Sequence, residues 1–376
     1  MQRAYIKAVH EDLSKKIVLL SGPRQVGKTT LSKMIFDDYE YYNYDFVQHR
    51  LDMEEMSWRR NTDLVIFDEL HKKRGWKSWL KGIYDVNGIP PRILVTGSAR
   101  LNTWQRLGDS LAGRYFQHRL HPLDIKELKG ELPPDEAMPA LLETGGFPEP
   151  FINGTKRYYN RWRRSHLDVI LRQDVVDMGA VTDIAALETL VTLLRKRVGT
   201  QISYTRLARD LGKDPKTIKN WIELLESLYV LFRVTPWSHN IARSLLKDPK
   251  IYFYDIAAVD SDEGTRFENL VACALAKELD RMADTEGIQG NLHYLRTKDG
   301  RELDFAIELD ERLHSVIEVK LSDDTPSPHF VHFNRFFKND IQRIQLVKTL
   351  RREKEYPTGV KVCLAHNWLA DVAFDT

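Results

Sequence analysis

Residues 22–29 read Gly22-Pro23-Arg24-Gln25-Val26-Gly27-Lys28-Thr29, the spacing G-x-x-x-x-G-K-[ST] that cradles phosphate groups. Each residue type has a job. Glycines let successive backbone N–H groups turn inward around phosphate oxygens, and a following helix adds the positive end of its dipole. The Lys28 ammonium reaches the β and γ phosphates, and the Thr29 hydroxyl ligates Mg²⁺, with Thr30 next in line. A chance Gly-Lys turn would spell the same letters. Here a strand-length apolar run, Ile17–Leu20, precedes the loop, and a helix-like stretch from about Lys28 to Phe36 follows it.

Residues 63–69 supply the other half of such a site. The apolar run Leu64–Phe67 ends in Asp68-Glu69. Asp68 is placed to hold the Mg²⁺ shell, and Glu69 to orient or deprotonate the attacking water. Downstream of a phosphate loop, that adjacent glutamate favours hydrolysis of ATP over transfer to a small acceptor, which disfavours a small-molecule kinase. A third run, Ile93–Thr96, leads into Gly97-Ser98, so Thr96 and Ser98 stand at a strand end. Arg114 follows Leu111-Ala112-Gly113, just before an aromatic, strand-like stretch.

A second set of chemical residues lies far downstream. Alternation in Leu303–Ile307 puts Asp304 opposite Phe305 and Ile307. In Val316–Leu321 it puts Glu318 and Lys320 opposite Ile317, Val319 and Leu321. With the turn Asp310-Glu311-Arg312 centred on Glu311, residue 304 pairs with 318, so Asp304, Glu318 and Lys320 cluster. An aspartate followed one strand later by Glu-x-Lys is the constellation of metal-dependent nucleases: two carboxylates for Mg²⁺ and a lysine acting on a water. Glu268, at a helix start, resembles the additional helical carboxylate of those enzymes. Leu303 stands where that signature often has proline. A solvated polar strand face is the plain alternative.

The elements that position these residues fall into three regions of an α/β chain. Up to about residue 140, short apolar runs alternate with amphipathic stretches, the pattern of a parallel sheet with crossover helices. Residues 150–243 are mainly helical. Within them, a serine-capped helix from Ser203, a turn at Gly212-Lys213-Asp214-Pro215 and a second helix with core residues Ile218, Ile222 and Leu225 read as a helix-turn-helix. Lys216, Thr217, Lys219 and Asn220 point away from that core, and Leu228–Val234 supplies a wing strand. Residues 185–243 hold ten Lys/Arg against five Asp/Glu. A basic, aromatic run, Lys156–Arg164, suits a nucleic-acid backbone or a subunit interface. From residue 250 onward the chain returns to strands.

Composition bounds the rest. The 376 residues carry 56 Lys+Arg and 54 Asp+Glu, a net charge of +2, too even to signal nucleic acid by itself. The apolar runs are far shorter than the ~18 residues of a membrane helix. The first residues carry no apolar leader. Two cysteines, Cys273 and Cys363, have neither metal spacing nor a disulfide pattern, so a reducing, cytoplasmic location without membrane partners is expected.

The loop at 22–30, the Ile-Phe-Asp-Glu at 66–69, the Thr-Gly-Ser at 96–98, the Leu-Ala-Gly-Arg at 111–114 and the Gly-Gly-Phe-Pro-Glu at 145–149 together resemble a prokaryotic AAA-type ATPase family. The family is fused to a winged helix and to a C-terminal restriction-endonuclease-like domain of unknown function. The resemblance implies three domains: an AAA-type ATPase over 1–150, a helical linker with a winged-helix-like domain over 151–245, and a restriction-endonuclease-like domain over 246–376. It implies ATP and Mg²⁺ as cofactors. Ser98, ahead of Thr96, becomes the candidate γ-phosphate sensor, although a hydroxyl capping the next turn reads the same. Arg114 becomes a candidate arginine finger or sensor, weighed against an ordinary surface arginine. The expected protein is an ATP-hydrolysing switch acting on nucleic acid, DNA rather than RNA, as a homo-oligomer. Its C-terminal domain either cuts or is a nuclease fold kept for binding.

Overall fold

Residues 3, 5–97, 111–175, 181–237, 248–297, 299–334 and 341–374 are described by a computed structural model. They form two compact units, Met1–His121 with Ser227–Tyr229, and Pro122–Glu226 with Val230–Thr376.

The first unit runs α1 (Ile6–Leu13), β1 (Ile17–Ser21), α2 (Lys28–Ser32), β2 (Tyr39–Asn43), α3 (Val47–Glu55), β3 (Leu64–Asp68), α4 (Trp76–Asn87), β4 (Arg92–Thr96) and β5 (Tyr115–Arg119). The five strands are all parallel, in the order β2-β3-β4-β1-β5. Covered on both faces, the central strands read as unbroken apolar runs. Ile17, Leu19, Val65, Phe67 and Val95 pack with Trp58, Trp76 and Leu80 on one side. Val18, Leu20, Ile66 and Leu94 pack with Val9, Leu13 and Leu31 on the other. The helix after the phosphate loop ends at Ser32, short of the expected Phe36. β2, with tyrosines at 39, 41 and 42, was not legible as a strand. The parallel register sets Asn43 beside Asp68, and Asp68 beside Thr96. The carboxyl ends of these strands therefore form one polar edge, where ligands of open α/β sheets bind.

The second unit begins with α5 (Ile125–Leu128), α6 (Pro134–Thr144), α7 (Pro148–Asn153) and α8 (Lys156–Val169). It continues with α9 (Ile184–Arg195), α10 (Tyr204–Leu211), α11 (Pro215–Ser227), β6 (Leu231–Pro236), β7 (Lys250–Phe253) and α12 (Glu263–Thr285). Then come β8 (Gly290–Arg296), β9 (Glu302–Leu309), β10 (Arg312–Lys320), β11 (Gln342–Val347), β12 (Lys354–Glu355) and β13 (Val360–Leu364). These eight strands form one sheet, β12-β13-β11-β10-β9-β8-β6-β7.

Two sequence expectations change here. The compact-unit boundary lies at 121/122 rather than near 150, and the helical region is not a unit apart from the C-terminal strands. The physical reason is β6. This strand, expected as a wing, pairs antiparallel with β7 and parallel with β8, tying the helices into the large sheet. The helix-turn-helix elements themselves form as read. Ser203 accepts a hydrogen bond from the Arg206 N–H, Gly212 ends α10 in the left-handed region, and Ile218, Ile222 and Leu225 are buried with Trp221 and Leu224. Lys216, Lys219 and Asn220 are exposed. The basic run becomes α8, but its aromatics Tyr159 and Trp162 are buried with Phe147 rather than offered to bases.

The β9–β10 hairpin closes as the alternation predicts. Asp310 and Glu311 both take positive φ, as a tight two-residue connection demands. Ser315, Val316 and Ile317 pair with Ile307, Ala306 and Phe305, the register that sets Asp304 opposite Glu318.

Candidate nucleotide site and a second carboxylate cluster

The phosphate loop is built by close backbone approach. A Cβ on Gly22 would lie 2.3 Å from the Leu120 carbonyl oxygen, and its φ is +145°, so only glycine fits. Gln25 and Gly27 also turn through positive φ. Val26 is buried, and its carbonyl accepts a hydrogen bond from Arg3 at 3.0 Å, while a second Arg3 nitrogen donates to the His121 carbonyl at 2.5 Å. Lys28 is buried with its ammonium on the loop's own carbonyls, 2.9 Å from Gly22 O and 2.6 Å from Pro23 O. The cation thus sits at the centre of the turn. Arg24 is half-buried, and Gln25 and Thr30 are exposed.

Across the polar edge, Asp68 is buried and collects hydroxyls. Thr29 Oγ1 donates to its Oδ2 at 2.9 Å, Tyr41 Oη donates to the same oxygen at 2.7 Å, and Thr96 Oγ1 donates to Oδ1. Neutral donors orient a carboxylate without cancelling its charge. Thr29 and Asp68 therefore present a hydroxyl and a charged oxygen side by side, the donor set that Mg²⁺ takes. Glu69 follows in a left-handed conformation at φ +56°, with its N–H on the Thr96 carbonyl at 3.1 Å. Strain of this kind in a non-glycine residue is common at functional sites. Its Oε2 is buried without a hydrogen-bond partner, 3.5 Å from His71 Nε2 and 3.8 Å from Lys72 Nζ. Burial raises the Glu69 carboxyl above its usual range, against the pull of Lys72. A carboxylate so raised is a better proton acceptor.

The other nucleotide-site expectations divide. Ser98 lies outside the described residues, and Thr96 is committed to Asp68. Arg114 is not brought to the loop. Its carbonyl accepts from Ile17 N–H at the start of β1, whereas the loop follows the end of β1, a strand length of roughly 16 Å away. There its guanidinium pairs with Asp85 at 2.6 and 3.1 Å. The alternation of β2, which puts Tyr41 on the face of Asp68, was the only sequence signal for Tyr41.

In the second unit Glu268, Asp304, Glu318 and Lys320 do share one neighbourhood. Asp304 Oδ2 accepts from Val319 N–H at 2.8 Å, and Lys320 donates to Glu318 Oε1 at 2.6 Å. Sequence reasoning missed the residue at the centre. Lys250, 2% exposed, places its ammonium 2.5 Å from Glu302, 3.4 Å from Glu268 and 4.0 Å from Asp304. Tyr252 Oη donates to Glu268 at 2.6 Å. A lysine and a tyrosine two apart in an otherwise apolar strand were the available signal. Burial alone would lower Lys250, but Glu268, Asp304 and Glu302 outweigh it and hold it above its usual value.

The remaining charge is uncomfortable. Burial, then Asp304, pushes Glu268 to about 7 and Glu318 to about 7. Glu318 Oε2 is buried without a hydrogen-bond partner. The residues nevertheless do not fit the expected metal centre. Among the described residues no three ligand-type side chains converge to hold an ion, and the Lys250 ammonium already stands beside two of the three expected ligands, Glu268 and Asp304. A fixed cation and a metal compete for the same oxygens.

Residues 14–129 match the family model described as AAA domain. Residues 135–261 and 263–366 match two models described as domains of unknown function, DUF8612 and DUF4143. An uncharacterised protein of Mycobacterium tuberculosis is 26% identical over 359 residues, covering 91% of this chain and 78% of that one. Another from Methanocaldococcus jannaschii is 24% identical over 345 residues, covering 80% and 75%. Among solved structures, Thermotoga maritima RuvB is similar at a TM-score of 0.33, with 20% identity over 61% of this chain and 88% of that one. Aeropyrum pernix ORC1, solved in complex with DNA, is similar at 0.34, with 12% identity over 72% and 93%. At those scores the likenesses say nothing of function. No described helix is long and apolar enough to cross a membrane. Residues 14–129 are thus similar to the AAA domain family, and the phosphate loop and parallel sheet over the same residues agree with that match.

Proposed function

We propose that this protein is an ATP-hydrolysing switch whose C-terminal unit engages nucleic acid through a nuclease-like sheet and does not cut it. The observation that carries the ATPase half is Asp68, held by Thr29, Tyr41 and Thr96 beside a buried, partner-poor Glu69. Thr29 Oγ1 and Asp68 would hold Mg²⁺, which supplies charge neutralisation on the phosphates. Lys28 would exchange its loop carbonyls for phosphate oxygens. Glu69 takes the proton of the attacking water, its raised affinity for a proton suiting the task. The non-cutting half rests on Lys250, which gives the second carboxylate cluster a cation of its own. The helix pair α10–α11 fits a winged-helix-like reader, with Lys216 and Lys219 outward.

The test is phosphate release without any acceptor. Wild-type protein should release phosphate from ATP, Lys28→Ala should bind nucleotide weakly, and supercoiled plasmid should survive Mg²⁺ or Mn²⁺ with ATP. Duplex binding should weaken with salt at a slope of about −0.9 per neutralised phosphate, and Lys216→Ala with Lys219→Ala should flatten it. Absence of acceptor-free phosphate release would sink the ATPase reading. Metal-dependent nicking would restore the cutting nuclease.

A further inference from the structure

Several cations of the second unit meet carboxylates. Arg197 meets Asp210, Lys213 meets Asp183, Arg233 meets Glu226, Lys277 meets Asp124 and Glu127, and Arg281 meets Glu278. Around one cavity of about 460 Å³ four cations converge instead on one another. Lys156, Arg163, Arg195 and Arg266 line it, with Asn160 and a single carboxylate, Asp260. None of the four cations has a carboxylate within ion-pair distance among the described residues.

Secondary structure explains how they converge. Lys156, Asn160 and Arg163 are spaced four and three along α8, one face of that helix. Arg195 closes α9, and Arg266 stands in the first turns of α12, whose N-terminal end adds partial positive charge. Each cation is steadied by groups that leave its charge intact. Lys156 donates to the Glu143 carbonyl at 2.9 Å and lies over the Tyr159 ring with Arg163, Arg195 lies over Phe253, and Arg266 donates to the Leu142 carbonyl. The Arg195 Nε is buried with no hydrogen-bond partner. Behind the wall, Asp255 is buried, occupied on one oxygen by the Tyr159 hydroxyl at 2.9 Å, and pushed up by burial against the Tyr159 hydrogen bond and the charges of Arg195 and Arg163. Burial and then the like charges of Arg266 and Arg163 depress Lys156.

We propose that this cavity is an anion site for phosphate esters, formed by α8, α9 and the start of α12. Its volume suits a small ligand, and guanidinium forks match phosphate oxygens in pairs. The phosphates come either from a free nucleotide or pyrophosphate or from a polynucleotide backbone. The site is distinct from the phosphate loop and stands whether or not that loop hydrolyses ATP.

Calorimetric titration of the full chain carrying Lys28→Ala, which disables the loop, separates the two sites. Pyrophosphate, ATP and a short oligothymidylate are the probes. Saturable binding of at least one is expected, falling ~10-fold or more when Lys156→Gln and Arg163→Gln are added, the loss of about 1.4 kcal/mol. Arg195→Gln should act the same way; if that half-buried change prevents folding, the two α8 substitutions decide alone. Tighter binding of oligothymidylate than of pyrophosphate assigns the phosphates to a nucleic-acid backbone, and the reverse order assigns them to a free ester. No saturable binding of any probe, or unchanged affinity in the Lys156→Gln, Arg163→Gln chain, overturns the proposal.

Discussion

Two carboxylate groups in this molecule start from similar residues and reach opposite electrostatic ends. In the first unit Asp68 is held by three neutral hydroxyls, from Thr29, Tyr41 and Thr96, and keeps its charge for a cation brought in by a ligand. In the second, Glu268, Glu302 and Asp304 surround the buried ammonium of Lys250, which supplies the cation from within the chain. The residues that read as chemistry, Asp and Glu after an apolar run, do not decide which outcome occurs. Their donors do. Neutral donors orient charge, whereas a buried ammonium consumes it.

The largest test of this contrast is Lys250→Met. Removing one partner from a buried charge cluster typically costs about 3–5 kcal/mol, so urea unfolding should show a strongly weakened second unit. Equal stability to wild type would mean the carboxylates are neutral and Lys250 does not hold them. Mg²⁺ or Mn²⁺ stabilising Lys250→Met but not wild type would show that ammonium and metal compete for one place.

Glu69→Gln comes next. Hydrolysis should fall ~10²-fold or more while nucleotide binding persists, because the proton acceptor is lost but Asp68 and Lys28 remain. Phosphate release and nucleotide titration measure the two effects, and normal turnover would remove Glu69 from the mechanism.

Tyr41→Phe removes one of the three donors to Asp68. A hydrogen bond to a charged group contributes about 1.5–3 kcal/mol, so Mg²⁺-dependent nucleotide affinity or unit stability should drop within that range. If neither moves, Tyr41 is a spectator of β2.

A fourth test is pH dependence. Burial, then the neighbouring Asp304 carboxylate, pushes Glu318 and Glu268 up to about 7 in the folded chain, well above the ordinary glutamate range. Across that window the unfolded chain has already lost protons that the folded chain retains, so stability falls as pH rises from about 4.5 to 7 and then levels. Melting temperatures across that range should show the fall, and Glu318→Gln should shrink it. A flat profile in both proteins would mean that the carboxylates ionise normally.

Much of the first site was legible because its signals are local. The loop is contiguous with its preceding strand, the Asp-Glu step ends an apolar run of its own, and the parallel register brings both to one sheet edge. Arg114 shows the limit. The Leu-Ala-Gly-Arg segment lies before β5, so a parallel strand carries it to the sheet edge opposite the loop, and nothing in its neighbours announces that.

What the sequence by itself determined was periodic: the phosphate loop between strand and helix, and the alternation and turn centre that set Asp304 against Glu318. These follow from bond geometry repeated every two or 3.6 residues, and a reader of residues can count it. What only the tertiary structure decided was convergence. Lys250 reaches carboxylates of one other strand and a helix, Tyr41 crosses to Asp68 from a neighbouring strand, and cations from α8, α9 and α12 face one cavity. Hydrophobic periodicity tells each segment which face to bury. The charge that a buried face will meet is set by whichever segment folds against it, tens of residues away.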